Sequence, residues 1–189
     1  MLDRREFVGR LLKDRGDLMV LTGLGTATFD VAAYGDNPLN FYIWSAMGCT
    51  SMVGLGLAMA RPDRRIAVIT GDGDVLMALG SLATIGAKQP ANLSIICLDN
   101  AHYAATGMQP SATAGTTDLA AVAKGCGFKS VLTVAGLEDA EKVRERMHAG
   151  TGPFFVHARV DTKKQERIIP TRDGYGMKYR FMEASAQKA

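Results

Sequence analysis

Short apolar runs alternate along the chain with segments whose apolar residues recur at helical spacing. The runs that predict buried strands are residues 18–21, 41–44, 66–70, 93–98, 130–134 and 153–160. The segments that predict helices are residues 2–15, 48–60, a run that begins near Asp74, 118–125 and 137–148. Strands that alternate with helices in this way favour an α/β fold with a parallel sheet.

The most informative stretch covers residues 66–102. One strand ends in a GDG segment at 71–73, a helix follows, and the next strand ends in the polar pair Asp99 and Asn100. Parallel strands that are joined by a crossover helix end on the same side of the sheet. We therefore expect Asp72 and Asn100 to meet at the edge where α/β proteins bind their ligands.

The residue types at this edge indicate a metal-bridged diphosphate. The carboxylate of Asp72, the amide carbonyl of Asn100 and a backbone carbonyl just beyond are hard oxygen ligands that suit Mg²⁺. We expect Gly71 and Gly73 to permit a sharp turn, and the helix N-terminus near Asp74 to direct N–H groups at a phosphate. A GDG turn alone is also common for conformational reasons only. An EF-hand loop is excluded, because its next ligand position is occupied by leucine.

Composition and charge restrict the classes of function. The 189 residues are 47% hydrophobic and carry a net charge of +3 from scattered Lys and Arg. This composition fits one soluble globular domain, 1–189, with a short basic tail from about residue 161, and it does not support nucleic-acid binding. No apolar run has the length of a signal peptide or a membrane span, so we expect a cytoplasmic protein. Cys49, Cys97 and Cys126 are predicted to be reduced core thiols rather than disulfides or zinc ligands.

The separation of Asp72 from Asn100, with a helix and a strand between them, resembles the thiamine diphosphate signature of the decarboxylase superfamily. The resemblance implies a three-layer, doubly wound parallel sheet, the fold of the domain that binds the cofactor's diphosphate (the PP domain). It also implies that Asp72 and Asn100 ligate Mg²⁺ through their side chains and that His102 adds its backbone carbonyl. The family usually has Asn where this chain has Asp99, which is not the ligand position.

The resemblance also assigns residues outside the GDG segment. In the sequence SAMG, Met47 matches a bulky apolar residue beneath the thiazolium ring that enforces a bent, V-shaped cofactor. The backbone carbonyl of Ser45 would accept a hydrogen bond from the aminopyrimidine. On general grounds a lone Met is more often a core residue. The turn TGLGTATFD would lie over the diphosphate, with contacts from Gly25 and Thr26, although ordinary loop chemistry accounts for it equally well.

A loop rich in Gly, Pro and Ser follows Asn100, and loops at this edge of a sheet tend to cover the substrate. Its candidate contacts are Tyr103, Thr106, Gly107 and Gln109, for which a purely structural role fits the sequence equally well. The predicted cofactor contacts are thus Gly25, Thr26, Ser45, Met47, Gly71, Asp72, Gly73, Asp74, Asn100, His102 and Tyr103. Met47 and Ser45 are the candidate catalytic residues, and Thr106 and Gln109 are the candidate substrate contacts.

The order of motifs along nearly the whole chain extends the resemblance. From NFY and SAMG through GDGDVLMALGSLATI and LDNAHYAATGMQP to a closing YRF, it is similar to the β subunit of sulfopyruvate decarboxylase and to the C-terminal half of phosphonopyruvate decarboxylase. The resemblance implies decarboxylation of a 2-oxo acid, foremost 3-sulfopyruvate to sulfoacetaldehyde and CO₂. Phosphonopyruvate decarboxylation, a carboligating reaction and a catalytically silent assembly or regulatory subunit are the alternatives.

None of the glutamates in the sequence looks like the acid that would activate this cofactor. Deprotonation at C2 needs a carboxylate against the pyrimidine N1′. The glutamates, all in charged segments that we expect at the surface, are Glu6, Glu138, Glu141, Glu145, Glu166 and Glu183. The resemblance places this acid in a pyrimidine-binding domain, for which 189 residues leave no room. We therefore expect a pyrimidine-binding α subunit that supplies the glutamate in an α2β2 heterotetramer, and no activity from this chain alone.

Overall fold

The computed structural model describes residues 1–44 and 47–187. Its strands are β1 (Met19–Thr22), β2 (Asn40–Tyr42), β3 (Ile66–Gly71), β4 (Leu93–Asp99), β5 (His102–Tyr103), β6 (Gln109–Pro110), β7 (Ser130–Val134) and β8 (Phe154–Arg159). Six of them form one sheet in the order β2-β1-β3-β4-β8-β7, and every neighbouring pair is parallel. β5 and β6 form a separate antiparallel hairpin. All six predicted strands are therefore present in the large sheet.

Helices cover both faces of that sheet. They are α1 (Arg4–Leu12), α2 (Thr26–Ala32), α3 (Thr50–Ala60), α4 (Asp72–Met77), α5 (Gly80–Lys88), α6 (Leu119–Gly125), α7 (Ala140–Ala149) and α8 (Gly174–Ala186), with 3₁₀ turns at Ala112–Ala114 and Leu137–Asp139. Ile96 and Leu98 of β4 pack in one core cluster with α1, α2 and α7, whereas Ile95 and Cys97 pack in a second cluster with α3, α5 and α6. Because both faces are buried, the strands are continuously apolar. The three-layer, doubly wound α/β fold is confirmed.

Two helices differ from the sequence prediction, and both lie beside the predicted site. Where the sequence predicts only a turn, α2 begins at Thr26, with Gly25 before it at a φ of +83°. The helix after β3 begins at Asp72 rather than near Asp74, and it ends at Met77 before α5 continues the connection. The predicted start near Asp74 is therefore wrong, because Asp72 already belongs to the first helical turn.

The predicted basic tail is part of the packed fold. Residues 161–173 return across the molecule without regular secondary structure, and Trp44 Nε1 donates to the carbonyl oxygen of Thr171 at 3.0 Å. α8 then packs on β2, where the ring centroids of Phe41 and Phe181 lie 5.3 Å apart in an edge-on arrangement. The C-terminal segment thus covers one edge of the sheet.

Two predictions from composition are also tested by the structure. The three cysteines are free thiols, but only Cys97 is fully buried, and Cys49 is exposed, so the prediction of a core position is wrong for Cys49. Among the helices of the described residues, none combines the length and the apolar character that crossing a bilayer requires.

Candidate functional site

The candidate site begins where the strand order reverses. β1 lies between β2 and β3, so the connections that leave β1 and β3 run to opposite sides, and open α/β sheets bind ligands at such a point. Gly23, directly after β1, approaches β3 closely. A Cβ atom at Gly23 would lie 2.6 Å from Thr70 Oγ1 and 3.3 Å from Asp74 Oδ2. The carboxyl ends of β1 and β3 therefore form one continuous edge of a crevice.

Asp72 and Asn100 follow neighbouring strands, as the sequence predicts. Gly71 pairs with Leu98 in the register of β3 and β4, so Asp72 and Asp99 come next on strands about 4.8 Å apart. Asp72 is only 2% exposed, whereas Asn100, one residue further along, is partly exposed. The sheet edge thus combines a buried carboxylate with an accessible amide group.

The turn after β4 is held by hydrogen bonds within itself. Asn100 Oδ1 accepts a hydrogen bond from His102 N at 2.9 Å, and His102 Nδ1 lies 2.8 Å from the carbonyl oxygen of Asn100. Ala101 has a φ of +61°, a left-handed conformation that costs a residue with a side chain about 1–2 kcal/mol. The carbonyl oxygen of His102 accepts from Ala104 N at 3.1 Å. Carbonyl oxygens have two lone pairs, so Asn100 Oδ1 and the His102 carbonyl each retain one for a cation.

Close packing, rather than a sharp turn, requires glycine at position 73. Gly71 has a φ of −104°, and Gly73 is not among the residues with positive φ, so the predicted conformational reason for the two glycines is wrong. A Cβ atom at Gly73 would lie 2.6 Å from Tyr103 Cε1 and 3.1 Å from Met47 Cε. Both of these predicted cofactor contacts are therefore packed against the GDG segment, and both are partly exposed.

Asp74 holds the turn at Met47 and Gly48 in place through hydrogen bonds. Its Oδ2 accepts from Thr70 Oγ1 and its Oδ1 accepts from Gly48 N, each at 2.5 Å. Both carboxylate oxygens thus already have protein donors, and these contacts connect the bend to the end of β3. A direct contact of Asp74 with a cofactor stays a prediction. The other residue predicted from this bend, Ser45, lies outside the described residues.

The remaining predicted contacts lie in loops at the same edge. Gly25 and Thr26 form the start of α2. Thr106 and Gln109 bond to each other across the tip of the β5–β6 hairpin: Thr106 Oγ1 donates to Gln109 Oε1, and Gln109 Nε2 donates to the Thr106 carbonyl, each at 2.9 Å. Both residues are exposed. Their roles as cofactor and substrate contacts stay predictions.

Two hydroxyl groups that the sequence does not single out lie beside Asp72. Ser111 Oγ donates to Asp72 Oδ2 at 2.5 Å, and Thr113 Oγ1 lies 3.4 Å from the same oxygen. Burial raises the pKa of Asp72, the hydrogen bond from Ser111 partly lowers it, and the nearby charge of Asp99 raises it again. A buried carboxylate beside a second acid is an arrangement that a divalent cation stabilises.

Asp99 is the buried centre of a cluster that the sequence does not predict, in which His157 is buried and Arg159 is exposed. His157 Nε2 lies 2.6 Å from Asp99 Oδ2, and Arg159 Nη1 donates to the same oxygen at 2.7 Å. Oδ1 accepts from Thr113 Oγ1 at 2.7 Å and from Ala101 N at 2.8 Å. Burial alone would raise the pKa of Asp99, but the hydrogen bonds from His157, Thr113 and Arg159 outweigh it and lower the pKa to about 2. The signal in the sequence is the HAR segment of β8, whose Arg159 pairs with Asp99 in register.

The glutamates lie away from buried positions, as predicted. All six side chains are exposed: Glu6, Glu138, Glu141, Glu145, Glu166 and Glu183. The acids buried at the carboxyl edge are aspartates, and Asp74 and Asp99 are already bound by protein donors. No glutamate of this chain therefore occupies a buried position of the kind that an acid against a cofactor ring requires.

The donors at this edge fit a magnesium diphosphate. The described residues offer one carboxylate in Asp72, one amide oxygen in Asn100 and one backbone carbonyl in His102, and Mg²⁺ prefers such an all-oxygen set together with phosphate oxygens. A family model described as the thiamine pyrophosphate enzyme, C-terminal TPP binding domain, matches residues 23–158. The chain belongs to this family of thiamine pyrophosphate enzymes. The matched residues contain the whole crevice from Gly23 to Thr113, and they confirm the predicted cofactor-binding fold.

Similar proteins share this domain at two different lengths. The sulfopyruvate decarboxylase subunit beta of Methanothermobacter thermautotrophicus is 39% identical over 92% of this chain and 89% of its own. The subunit of the same name from Methanocaldococcus jannaschii is 36% identical over 96% of each chain. The phosphonopyruvate decarboxylase of Streptomyces viridochromogenes is 39% identical over 75% of this chain, which is 35% of that protein. The chain is therefore similar to whole beta subunits and to about a third of a longer decarboxylase.

Proposed function

We propose that this chain is the diphosphate-binding β subunit of a decarboxylase that uses thiamine diphosphate and Mg²⁺ to convert 3-sulfopyruvate into sulfoacetaldehyde and CO₂. The observation that carries the proposal is the placement of Asp72 and Asn100 at the ends of neighbouring strands within a TPP-binding domain. The two beta subunits that match over almost their whole length favour sulfopyruvate as the substrate.

The metal would be held by the turn after β4 and the start of α4. Asp72 would contribute a carboxylate oxygen, Asn100 its amide oxygen and His102 its backbone carbonyl. The cation would neutralise the buried charge of Asp72 and bind the cofactor's diphosphate at the same time. Gly25 and Thr26, at the start of α2, would approach the diphosphate from the β1 side of the crevice.

The residues of this chain would bind, orient and shield the cofactor. When bound, thiamine diphosphate supplies a nucleophilic C2 carbon that attacks a 2-oxo acid and an electron sink for the pair released with CO₂. Met47, packed against Gly73, would support the ring in its bent conformation. Tyr103 would close the side of the crevice and exclude water from the reacting atoms. The hairpin with Thr106 and Gln109 would cover the substrate.

A partner would complete the site. We propose that a pyrimidine-binding α subunit supplies the activating glutamate, in a cytoplasmic α2β2 assembly. The exposure of all six glutamates of this chain supports an acid from elsewhere. The words "subunit beta" in the names of the similar proteins support a partner chain.

Cofactor binding tests the assignment of Asp72. Calorimetry of the chain together with its α subunit is expected to show thiamine diphosphate binding that depends on Mg²⁺. Asp72→Asn is expected to weaken this binding at least about 100-fold, since a neutral amide is a much poorer Mg²⁺ ligand than a carboxylate. The exposed Asp63→Asn is the matched control and should bind normally. Binding at the original affinity by Asp72→Asn would contradict the metal role.

Turnover tests the partner and the substrate. Carbon dioxide release from 3-sulfopyruvate is expected from the assembled chains and not from this chain alone, because only the assembly contains the activating acid. Phosphonopyruvate and pyruvate serve as competing substrates, compared by kcat/KM. Addition of an acceptor aldehyde separates decarboxylation from carboligation by the products formed. Full activity of the purified chain without its partner would overturn the proposed assembly.

A further inference from the structure

Two buried hydroxyl groups connect the two buried acids at the site. Ser111 and Thr113 are 5% and 2% exposed, and their oxygens lie 2.9 Å apart. Ser111 Oγ is 2.5 Å from Asp72 Oδ2, and Thr113 Oγ1 is 2.7 Å from Asp99 Oδ1. Each hydroxyl has a single proton, and the two shortest contacts take both protons. Thr113 thus donates to Asp99, while Ser111 donates to Asp72, with Thr113 Oγ1 as a second, weaker acceptor of the same proton.

The backbone and a charged cluster fix the positions of these hydroxyls. Ser111 N donates to the carbonyl oxygen of Ala101 at 2.9 Å, which ties the loop after β6 to the turn after β4. Asp99, which receives the proton of Thr113, is itself bound by His157 and Arg159 from β8. Hydrogen bonds to Ala101 and to Asp99 therefore fix Ser111 and Thr113 on the side of the pair that faces away from Asp72.

This support orients the carboxylate of Asp72. Of the two hydroxyls, Ser111 is the one that donates to Asp72, and it does so at Oδ2. Ser111 therefore holds the carboxylate in one rotation, together with the backbone N–H groups of residues 72 and 73. A carboxylate has about four lone-pair sites, so these donors still leave capacity for a cation. Loss of an outer hydrogen bond to a metal ligand typically costs 10–100-fold in metal affinity.

We propose that Ser111 and Thr113 are positioning residues that hold Asp72 in its metal-binding orientation, with Asp99, His157 and Arg159 as their anchor. The inference rests on the proposed function, because it requires that Asp72 binds Mg²⁺ with the cofactor. It adds a group of residues from the loop after β6 and from β8 to a metal site otherwise formed at the ends of β3 and β4.

Titration of Mg²⁺ in the assembled chains tests the proposal. Thiamine diphosphate binding is measured by calorimetry at increasing Mg²⁺ concentrations for Ser111→Ala, Thr113→Val and Thr113→Ser. Ser111→Ala is expected to need about 10–100-fold more Mg²⁺ for half-maximal binding, and Thr113→Val, which acts through Ser111, a smaller increase in the same direction. Both should reach nearly the original cofactor affinity at saturating Mg²⁺. Thr113→Ser keeps the hydroxyl and should behave like the original chain. The exposed Thr116→Val is the control for a threonine of the same loop.

The outcomes separate this proposal from the function on which it rests. An unchanged Mg²⁺ requirement in Ser111→Ala and Thr113→Val would overturn it. So would a loss of cofactor binding at every Mg²⁺ concentration together with a lower melting temperature, since that pattern indicates a general structural role. If Ser111→Ala does not fold, the comparison of Thr113→Val with Thr113→Ser decides. Failure of the original assembly to bind thiamine diphosphate at any Mg²⁺ concentration would refute the proposed function and this inference with it.

Discussion

Replacing Asp99 by Asn tests whether the ion cluster at the end of β4 stabilises the fold. The change keeps the shape of the side chain but removes its charge. The guanidinium of Arg159 can only donate hydrogen bonds, so it would face either the NH₂ group of the new asparagine or an amide oxygen, which is a weaker acceptor than a carboxylate. The pKa of Asp99 falls from 3.8 to about 2 in the folded chain. This difference corresponds to about 2–3 kcal/mol of stabilisation by the ionised form. We expect Asp99→Asn to lower the free energy of unfolding by that amount at pH 7.

The stability difference between the original chain and Asp99→Asn should also depend on pH. A carboxyl group whose pKa is lower in the folded than in the unfolded chain stabilises the fold above the unfolded pKa, and the contribution is lost as the pH falls through the folded pKa. The difference between the original chain and Asp99→Asn should therefore be constant above about pH 5 and shrink as the pH falls from about 4 towards 2. Urea unfolding of the metal-free chain between pH 7 and pH 3 measures it.

Asp63→Asn is the control for an exposed acid. The hydrogen bond from Arg61 lowers the pKa of Asp63 to about 2 as well, but water screens this exposed pair, so we expect no measurable loss of stability. Equal stability of Asp99→Asn and the original chain at pH 7 would refute the reasoning, as would a difference that persists unchanged down to pH 3. The resemblance indicates that Asn is the usual family residue at this position. A loss of stability in Asp99→Asn would therefore show that the contact with Arg159 makes the acid necessary in this chain.

Three glycine substitutions give further predictions. Gly73→Ala should displace the Tyr103 ring, which lies 2.6 Å from the new Cβ, and weaken thiamine diphosphate binding by about 1–3 kcal/mol in calorimetry while the chain stays folded; unchanged affinity would show that Tyr103 moves without cost. Gly86→Ala would place its Cβ 1.7 Å from the backbone oxygen of Cys126 and should cost at least about 2 kcal/mol in urea unfolding. Gly80→Ala, with nothing within 4 Å, should be neutral or stabilise by up to about 1 kcal/mol. A larger loss in Gly80→Ala than in Gly86→Ala would contradict both packing arguments.

The sequence predicts the sheet well because its strands are buried on both faces. β3, β4 and β8 are mostly apolar, and short runs of this kind between helical segments are typical of parallel strands. The spacing from Asp72 to Asn100 places both residues at one edge because parallel strands with a crossover share their direction. These features depend on local composition and on topology, which the sequence contains directly.

The rest depends on contacts between distant residues. Asp99 meets His157 and Arg159 across 58 and 60 positions, and Ser111 meets Asp72 across 39. No local pattern predicts such pairs, although the HAR segment of β8 becomes a usable signal once its register with β4 is known. The start of α2 is not predicted because Gly and Thr favour turns on their own, whereas burial of Ala27 and Val31 against the sheet makes the segment helical.

The packing of α8 on β2 has a consequence for folding during synthesis. Tyr42 N donates to Met177 Sδ at 3.2 Å, although 135 positions separate the two residues. At the usual rate of about 5–20 residues per second, a ribosome needs roughly 7–27 s to synthesise the chain between them. Until α8 is made, the N–H group of Tyr42 on the edge strand β2 lacks this partner, and uncovered edges recruit other strands. We therefore expect chains that end before α8 to aggregate more readily than the full chain.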